Sequence, residues 1–133
     1  SILSIVTCCE PEEFTKVRSL YTTLRKHLER SSDDERFKKL VTPYILVGML
    51  KPRDHIGYNT NKGYEIGICL NGDINEIFHV LLHELAHCTV EEFDHSAEFW
   101  DNLRDLKSIC VDLGIYTEIK EPKEFCGTNV QDA

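Results

Sequence analysis

The pattern His83-Glu84-Leu85-Ala86-His87 is the part of the sequence that most directly indicates a chemistry. On a helix, two histidines four residues apart lie on the same face, close enough for both imidazoles to bind one tetrahedral zinc ion. Glu84 stands beside them and can accept the proton of a water molecule held at the metal. The pattern therefore predicts a zinc hydrolase site with Glu84 as the general base.

The sequence around this motif predicts the helix that would position it. Asp73 and Glu76 have the spacing of a capping box, with Asp73 at the N-cap, and the helix is expected to run to about Thr89. Apolar residues recur along it at intervals of three and four and would bury one face in a core. These residues are Ile74, Ile77, Phe78, Leu81, Leu82 and Leu85. A helix anchored in this way holds its two histidines rigidly.

A third ligand is expected because catalytic zinc usually has three protein ligands and one open position. His95 is the best candidate, since it begins a second helix whose apolar pattern continues to Gly114, which is expected to end it. Folding of this helix back over the first would bring His95 toward His83 and His87. Four carboxylates compete for the third position, and the one that lies a turn into the second helix, Glu98, is favoured among them. The four are Glu91, Glu92, Asp94 and Glu98.

Two further sets of residues bear on the site. His79 lies one turn before His83 and could form an alternative histidine pair, but that pair would leave Glu84 badly placed. His79 is therefore interpreted as a solvent-facing residue or as a support for a ligand. A donor should also stabilise the developing oxyanion, and the sequence does not choose among three tyrosines. These are Tyr58, Tyr64 and Tyr116.

The remaining sequence predicts an N-terminal helix and a small sheet. The helix opens near Pro11 and continues to about Arg30, with apolar residues at helical spacing. Residues 44–50 and 64–70 have the apolar content or the alternation of strands, with a turn at 59–63 between them. These segments predict a hairpin or a small sheet immediately before the metal-binding helix, and thus an α+β fold.

The run HELAHCTVEEFDHSAEFW, from His83 to Trp100, resembles the metal-binding helix pair of the WLM and SprT-like zinc metallopeptidases. In that group HExxH is followed by a third histidine and by an ending of small and aromatic residues. The segment from Asn59 to Leu70 is similar to short stand-alone WLM-type proteins, including versions encoded by large DNA viruses. The resemblance covers about residues 44–127 and is strongest over residues 80–100.

This resemblance implies a zincin-like fold of minimal gluzincin type. It also implies that His83, His87 and His95 bind Zn²⁺ and that Glu84 is the general base. The expected substrate is a protein or peptide, and proteins crosslinked to DNA are an expected class. Resemblance to zincins further suggests that an edge strand of the sheet pairs with an extended substrate through backbone hydrogen bonds.

Two other functions remain open. A zinc-dependent hydrolase of another bond, such as a ribonuclease, can also use three histidines on and after a helix, although the position of Glu84 favours a peptidase. A non-catalytic module with structural zinc is the other alternative, and a fourth protein ligand would indicate it.

Composition limits the range of partners. The 133 residues predict one compact domain, residues 1–133, with a single core. The sequence has 15 basic and 23 acidic residues, a net charge of −8, and therefore no general attraction to the phosphate backbone of nucleic acids. Basic residues do cluster at positions 16–30 and 36–39, and these clusters are interpreted as solvated helix faces.

The six cysteines include no CxxC pair, which argues against a structural zinc knuckle. The sequence shows no signal peptide and no membrane span, so an intracellular, reducing location with free thiols is expected. As an alternative role, Cys126 could cap the zinc as a thiolate in a latent form.

Overall fold

A computed structural model of the protein describes residues 11–31, 34–49, 57–60, 65–70, 72–91, 95–126 and 128–132. Within these residues the elements are, in chain order, three helices, one 3-10 helix and five strands. They are α1 (Glu12–Ser31), the 3-10 helix (Glu35–Val41), β1 (Ile45–Met49), β2 (Gly57–Thr60), β3 (Glu65–Cys69), α2 (Ile74–His87), α3 (Ala97–Asp112), β4 (Lys123–Phe125) and β5 (Thr128–Val130).

A small mixed sheet lies directly before the helix that carries the HExxH motif. Its strand order is β1-β3-β2, with β3 parallel to β1 and antiparallel to β2. β3 is buried from Ile66 to Cys69, because α2 packs against it and against β2. The fold is thus α+β, as the sequence predicts, and agrees with the zincin-like fold that the resemblance implies.

The pairing within this sheet differs from the simplest expectation. The two predicted strands are present as β1 and β3, but they pair in parallel and do not form a hairpin. The predicted turn at 59–63 is wrong at its start, since Asn59 and Thr60 lie in β2, while residues 61–63 lie outside the described residues. Glycine and asparagine disfavour strands, so the local sequence favours a turn here. The hydrogen bonds that β2 makes with β3 override this preference.

Helix α1 confirms the predicted N-terminal helix to within two residues. The carbonyl of Pro11 accepts the backbone N–H groups of Phe14 and Thr15, at 3.0 and 3.2 Å, and so starts the helix. Its buried face packs on α2 and on the 3-10 helix. This face consists of Phe14, Val17, Tyr21, Leu24 and Leu28. The apolar face that the amphipathic spacing predicts therefore packs in the core.

Arg36 links the 3-10 helix to α3 and, through Asn102, to the end of α2, beside the motif. Its Nη1 donates to Asn102 Oδ1 at 3.0 Å and to Asp105 Oδ2 at 2.9 Å, both in α3. The Asn102 amide in turn donates to Thr89 Oγ1, just after α2, at 2.9 Å. Hydrogen bonds to Asp34 and Asp105 raise the pKa of Arg36 above its usual range. These bonds fix how α3 crosses α2.

A disulfide joins Cys69, at the end of β3, to Cys126, between β4 and β5. Their Cα atoms are 6.5 Å apart, so the bond forms between residues separated by 57 positions in sequence. The expectation of free thiols is therefore wrong for this pair, and Cys126 does not serve as a zinc-capping thiolate. Cys88 and Cys110 are buried thiols, and burial raises the pKa of Cys110 to about 12. Cys8 and Cys9 lie outside the described residues.

Gly72 lies where the chain leaves the sheet and enters α2. A Cβ atom there would come within 2.3 Å of Phe125 Cδ1 and 2.5 Å of Cε1, and the Phe125 ring is fully buried. We expect Gly72→Ala to lower the free energy of unfolding by about 1–3 kcal/mol, because the ring has to shift within a packed core. Urea denaturation measures this loss. Adding Phe125→Leu should make the two effects non-additive, and strictly additive losses would contradict the predicted clash.

Candidate metal centre

Helix α2 positions His83, Glu84 and His87 as part of the core. It begins at Ile74 with Asp73 as N-cap, as predicted, and ends at His87, two residues before the expected end. Only half of the predicted capping box forms, since Glu76 accepts the Asp73 backbone N–H while the Asp73 side chain makes no cap hydrogen bond. Burial raises the pKa of Glu76. The helix is buried along most of its surface, which holds its side chains in place.

His95 reaches the site from the segment just before α3. The sequence predicted that His95 begins this helix, whereas the helix begins at Ala97 with Ser96 as N-cap. The Ser96 hydroxyl accepts the backbone N–H of Phe99 at 3.2 Å. A serine is a strong N-cap, so it takes the boundary that the apolar pattern alone assigned to its neighbour. Gly114 follows α3 with a φ of 76°, as expected for a residue that ends a helix.

The three predicted ligand histidines converge. His95 Nε2 lies 3.2 Å from His83 Nε2 and 3.2 Å from His87 Nε2. All three ligand nitrogens lie within 4.8 Å of one another. Zinc–nitrogen bonds in a tetrahedral site place their nitrogens about 3.3 Å apart. The spacing and the chemistry of these donors therefore fit one metal ion.

An aromatic ring supports the three imidazoles from within the core. The ring centroid of Phe99 lies 4.4 Å from His87, 4.9 Å from His95 and 5.1 Å from His83. Phe99 is fully buried. Next to it, the Trp100 ring lies 5.4 Å from His95 and remains half exposed. One turn of α3 thus packs against the histidines and also forms the rim of the site.

The protonation state of His83 favours metal binding at this cluster. Burial, with a further contribution from the neighbouring His87 and His95, lowers the pKa of His83 to about 3. The His83 ring therefore stays neutral near physiological pH and keeps a nitrogen lone pair for a metal. Glu84 is buried to 8% exposure, and on an ideal helix it lies roughly 60° around the axis from His87.

Two of the four competing carboxylates stand apart from this cluster. Glu91 and Glu98 are exposed, and neither belongs to the group of potential metal ligands that the described residues form. Glu92 and Asp94 lie outside the described residues.

His79 is buried, so its interpretation as a solvent-facing residue is wrong. Its Nδ1 lies 2.9 Å from the Tyr116 hydroxyl and 3.3 Å from Asp132 Oδ1. Within the described residues it is not part of the histidine cluster. Its partners are far away in sequence, and no sequence signal indicated this network.

Asp132 is the centre of that network. It accepts hydrogen bonds from Tyr116, from Lys107 and, at 2.8 Å, from the backbone N–H of Ile119. Burial alone would raise the pKa of Asp132, but hydrogen bonds from His79, Lys107 and Tyr116 hold it below its usual range. Burial and the bond to Asp132 also raise the pKa of Tyr116. Asp132 thereby fastens the end of the described chain to α2 and α3.

Of the three tyrosines that could stabilise the oxyanion, only Tyr116 has a described side chain. The Tyr116 hydroxyl is engaged by Asp132 and His79. Tyr64 and the side chain of Tyr58 lie outside the described part of the structure.

Comparison with known proteins decides the family. Residues 45–132, more than half of the chain, match the family model of the WLM domain. This chain belongs to the WLM family. The match begins at β1 and includes all of the histidine cluster and the Asp132 network. The membership that the motif suggested is thereby confirmed.

The WLM chain is also similar to a viral protein and to a protein of known structure. An uncharacterized protein of Acanthamoeba polyphaga mimivirus is 30% identical over 123 residues, which are 85% of this chain and 62% of that protein. The chain thus spans less than two thirds of the length of that relative. The crystal structure of Wss1 from Saccharomyces cerevisiae is similar with a TM-score of 0.50 and 25% identity, over 59% of this chain and 67% of Wss1. Among the described residues, no helix of the WLM chain is long and apolar enough to cross a membrane.

Proposed function

We propose that this chain is a zinc-dependent endopeptidase in which His83, His87 and His95 bind the metal. The observation that carries the proposal is the convergence of three imidazole nitrogens from α2 and the start of α3. When bound, zinc supplies a Lewis acid that polarises a peptide carbonyl and lowers the pKa of a coordinated water to about 7. The proposal treats residues 1–133 as one catalytic domain.

Glu84 has the role of general base in this reaction. It follows His83 directly and precedes His87 by less than one turn, so it stands beside both ligands on α2. Its carboxylate accepts the proton of the attacking water and then passes it to the leaving amine of the cleaved peptide bond. Such proton transfer by a positioned side chain contributes typically 10²–10⁴-fold to the rate.

The two alternative functions receive less support. A structural zinc site has four protein ligands, and within the described ranges no fourth histidine, cysteine or carboxylate joins the cluster. A ribonuclease would need attraction to phosphates, which a net charge of −8 does not provide.

The edge of the sheet offers a place for an extended substrate. β2 packs against α2 and pairs with β3 on one side, so it forms one edge of the three-stranded sheet. A peptide that adds to such an edge is bound through backbone hydrogen bonds, which tolerate many side chains. The proposed substrate is therefore an unfolded polypeptide of no fixed sequence. Proteins crosslinked to DNA are included because the sequence resembles proteases that act on them.

Metal removal tests the proposal. Treatment with a chelator should abolish cleavage of an unfolded protein, and stoichiometric zinc should restore it, because no protein group replaces the Lewis acid. The same protein crosslinked to single-stranded DNA serves as the second substrate and should be cleaved at least as fast. Cleavage that survives complete metal removal would overturn the zinc mechanism. A crosslinked protein that resists while its free form is cleaved would remove DNA-linked proteins from the substrate class.

A further inference from the structure

A cavity of about 670 Å³ lies between α3 and the C-terminal part of the chain. One wall is a single face of α3, since Trp100, Arg104, Lys107 and Val111 follow at intervals of three and four residues. The opposite wall includes Tyr116 and Asp132. This volume is within the range of cavities that bind ligands, about 300–1,000 Å³.

The cavity lies next to the histidine cluster. Trp100 lines it, and the same ring lies 5.4 Å from His95 and 6.3 Å from His83. Trp100 therefore stands between the two sites. A polypeptide held with one peptide bond at the histidines would lay a neighbouring side chain across Trp100 and into the cavity.

Apolar surface is concentrated here. Among the described residues the large exposed hydrophobic side chains are Ile45, Trp100 and Val111, and the last two both line the cavity. They are 50% and 46% exposed. Covering such surface with an apolar group is favourable because it removes both surfaces from water.

Charges around the cavity are largely paired with one another. Lys107 pairs with Asp132, and Arg104 lies 3.3 Å from Asp101 and 3.4 Å from Asp105. Glu118 adds an acidic group at the exposed rim. Because the cations are engaged locally, little net charge remains to select a charged side chain.

We propose that this cavity binds an aliphatic or aromatic side chain of an unfolded polypeptide substrate, next to the bond that is cleaved. The proposal rests on the proposed endopeptidase function and adds a substrate preference to it. Lys107 on one wall and Tyr116 on the other both bond to Asp132, so these bonds join the two walls between which the side chain packs.

Trp100 provides a direct probe, since the chain contains one tryptophan. The zinc-loaded Glu84→Gln variant is titrated with Trp-free, unstructured Gly/Ser peptides that carry a single leucine or, in the matched peptide, a serine. The leucine peptide should shift the Trp100 emission to shorter wavelength and bind roughly tenfold more tightly, as expected for burial of one leucine side chain. Equal binding of the two peptides would overturn the proposal.

Two substitutions to phenylalanine, one inside the cavity and one outside it, test where the leucine side chain binds. Ser108 is exposed and lines the cavity, whereas Asp112 is exposed on the same helix and does not line it. Ser108→Phe should fill the space and remove the leucine preference, while Asp112→Phe should keep it. Equal loss in both variants would overturn the proposal.

Cleavage by the wild-type protein separates this proposal from the proposed function. Cleavage of both peptides at equal kcat/KM would retain the endopeptidase and overturn the pocket. Tight binding of the leucine peptide with a loss in Ser108→Phe, but without any cleavage, would support the pocket and overturn the endopeptidase.

Discussion

Replacing Glu84 with glutamine should leave the zinc in place and lower kcat for peptide cleavage by at least about 100-fold. Glutamine has nearly the same shape as glutamate but cannot accept the proton of the attacking water. Glu84 is buried in α2 beside the histidines, so a substitution that preserves its shape should disturb the helix little. Metal analysis and cleavage of an unfolded protein, performed on the same preparation, measure the two quantities.

Glu98 provides the matched control for this variant. It is an exposed glutamate in the first turn of α3, close in sequence to His95, and it is not part of the metal-binding group. Glu98→Gln should keep both zinc and activity. Wild-type activity in Glu84→Gln would show that the general base is another group. Loss of zinc together with activity would show that Glu84 acts through the metal site as a structural element.

Replacing His95 with alanine should weaken zinc binding by more than about 100-fold, because loss of a direct ligand exceeds the 10–100-fold effect of residues behind the ligands. Two imidazoles from α2 would remain, and they leave the metal with too few protein ligands for tight binding. Competition with a fluorescent zinc chelator measures the affinity. Activity should fall in parallel at limiting zinc.

The position of His95 allows metal loss to be distinguished from unfolding. His95 is exposed and precedes the Ser96 N-cap, so its removal should leave the thermal unfolding of the metal-free protein unchanged. Glu98→Ala is the comparison, and it should retain wild-type affinity. The reverse result, with full zinc in His95→Ala and loss in Glu98→Ala, would make the carboxylate the third ligand.

Features encoded locally in the sequence were predictable. The HExxH helix was predicted because its N-cap residue and its apolar repeat lie within a few turns of the motif. His95 could be associated with His83 and His87 because a short connection joins two amphipathic helices, and short connections bring helices back on each other. The structure places these three residues together.

Features that depend on distant contacts were not predictable. The parallel pairing of β1 with β3 requires β2 to take the other edge, and the composition of β2 indicates a turn rather than a strand. The Cys69–Cys126 disulfide and the contact of His79 with Asp132 join segments that only the folded chain brings together. A single sequence carries no signal for such pairs. The predicted intracellular location stays a prediction.

Zinc K-edge X-ray absorption, with metal stoichiometry on the same wild-type protein, tests the proposed metal site most directly. We expect one zinc per chain with three imidazole nitrogens at about 2.0–2.1 Å and one oxygen that does not come from the protein. Glu84→Gln should give the same spectrum, since Glu84 is not a ligand. A sulfur ligand at about 2.3 Å, four protein ligands, or the absence of stoichiometric zinc would contradict a three-histidine hydrolytic centre.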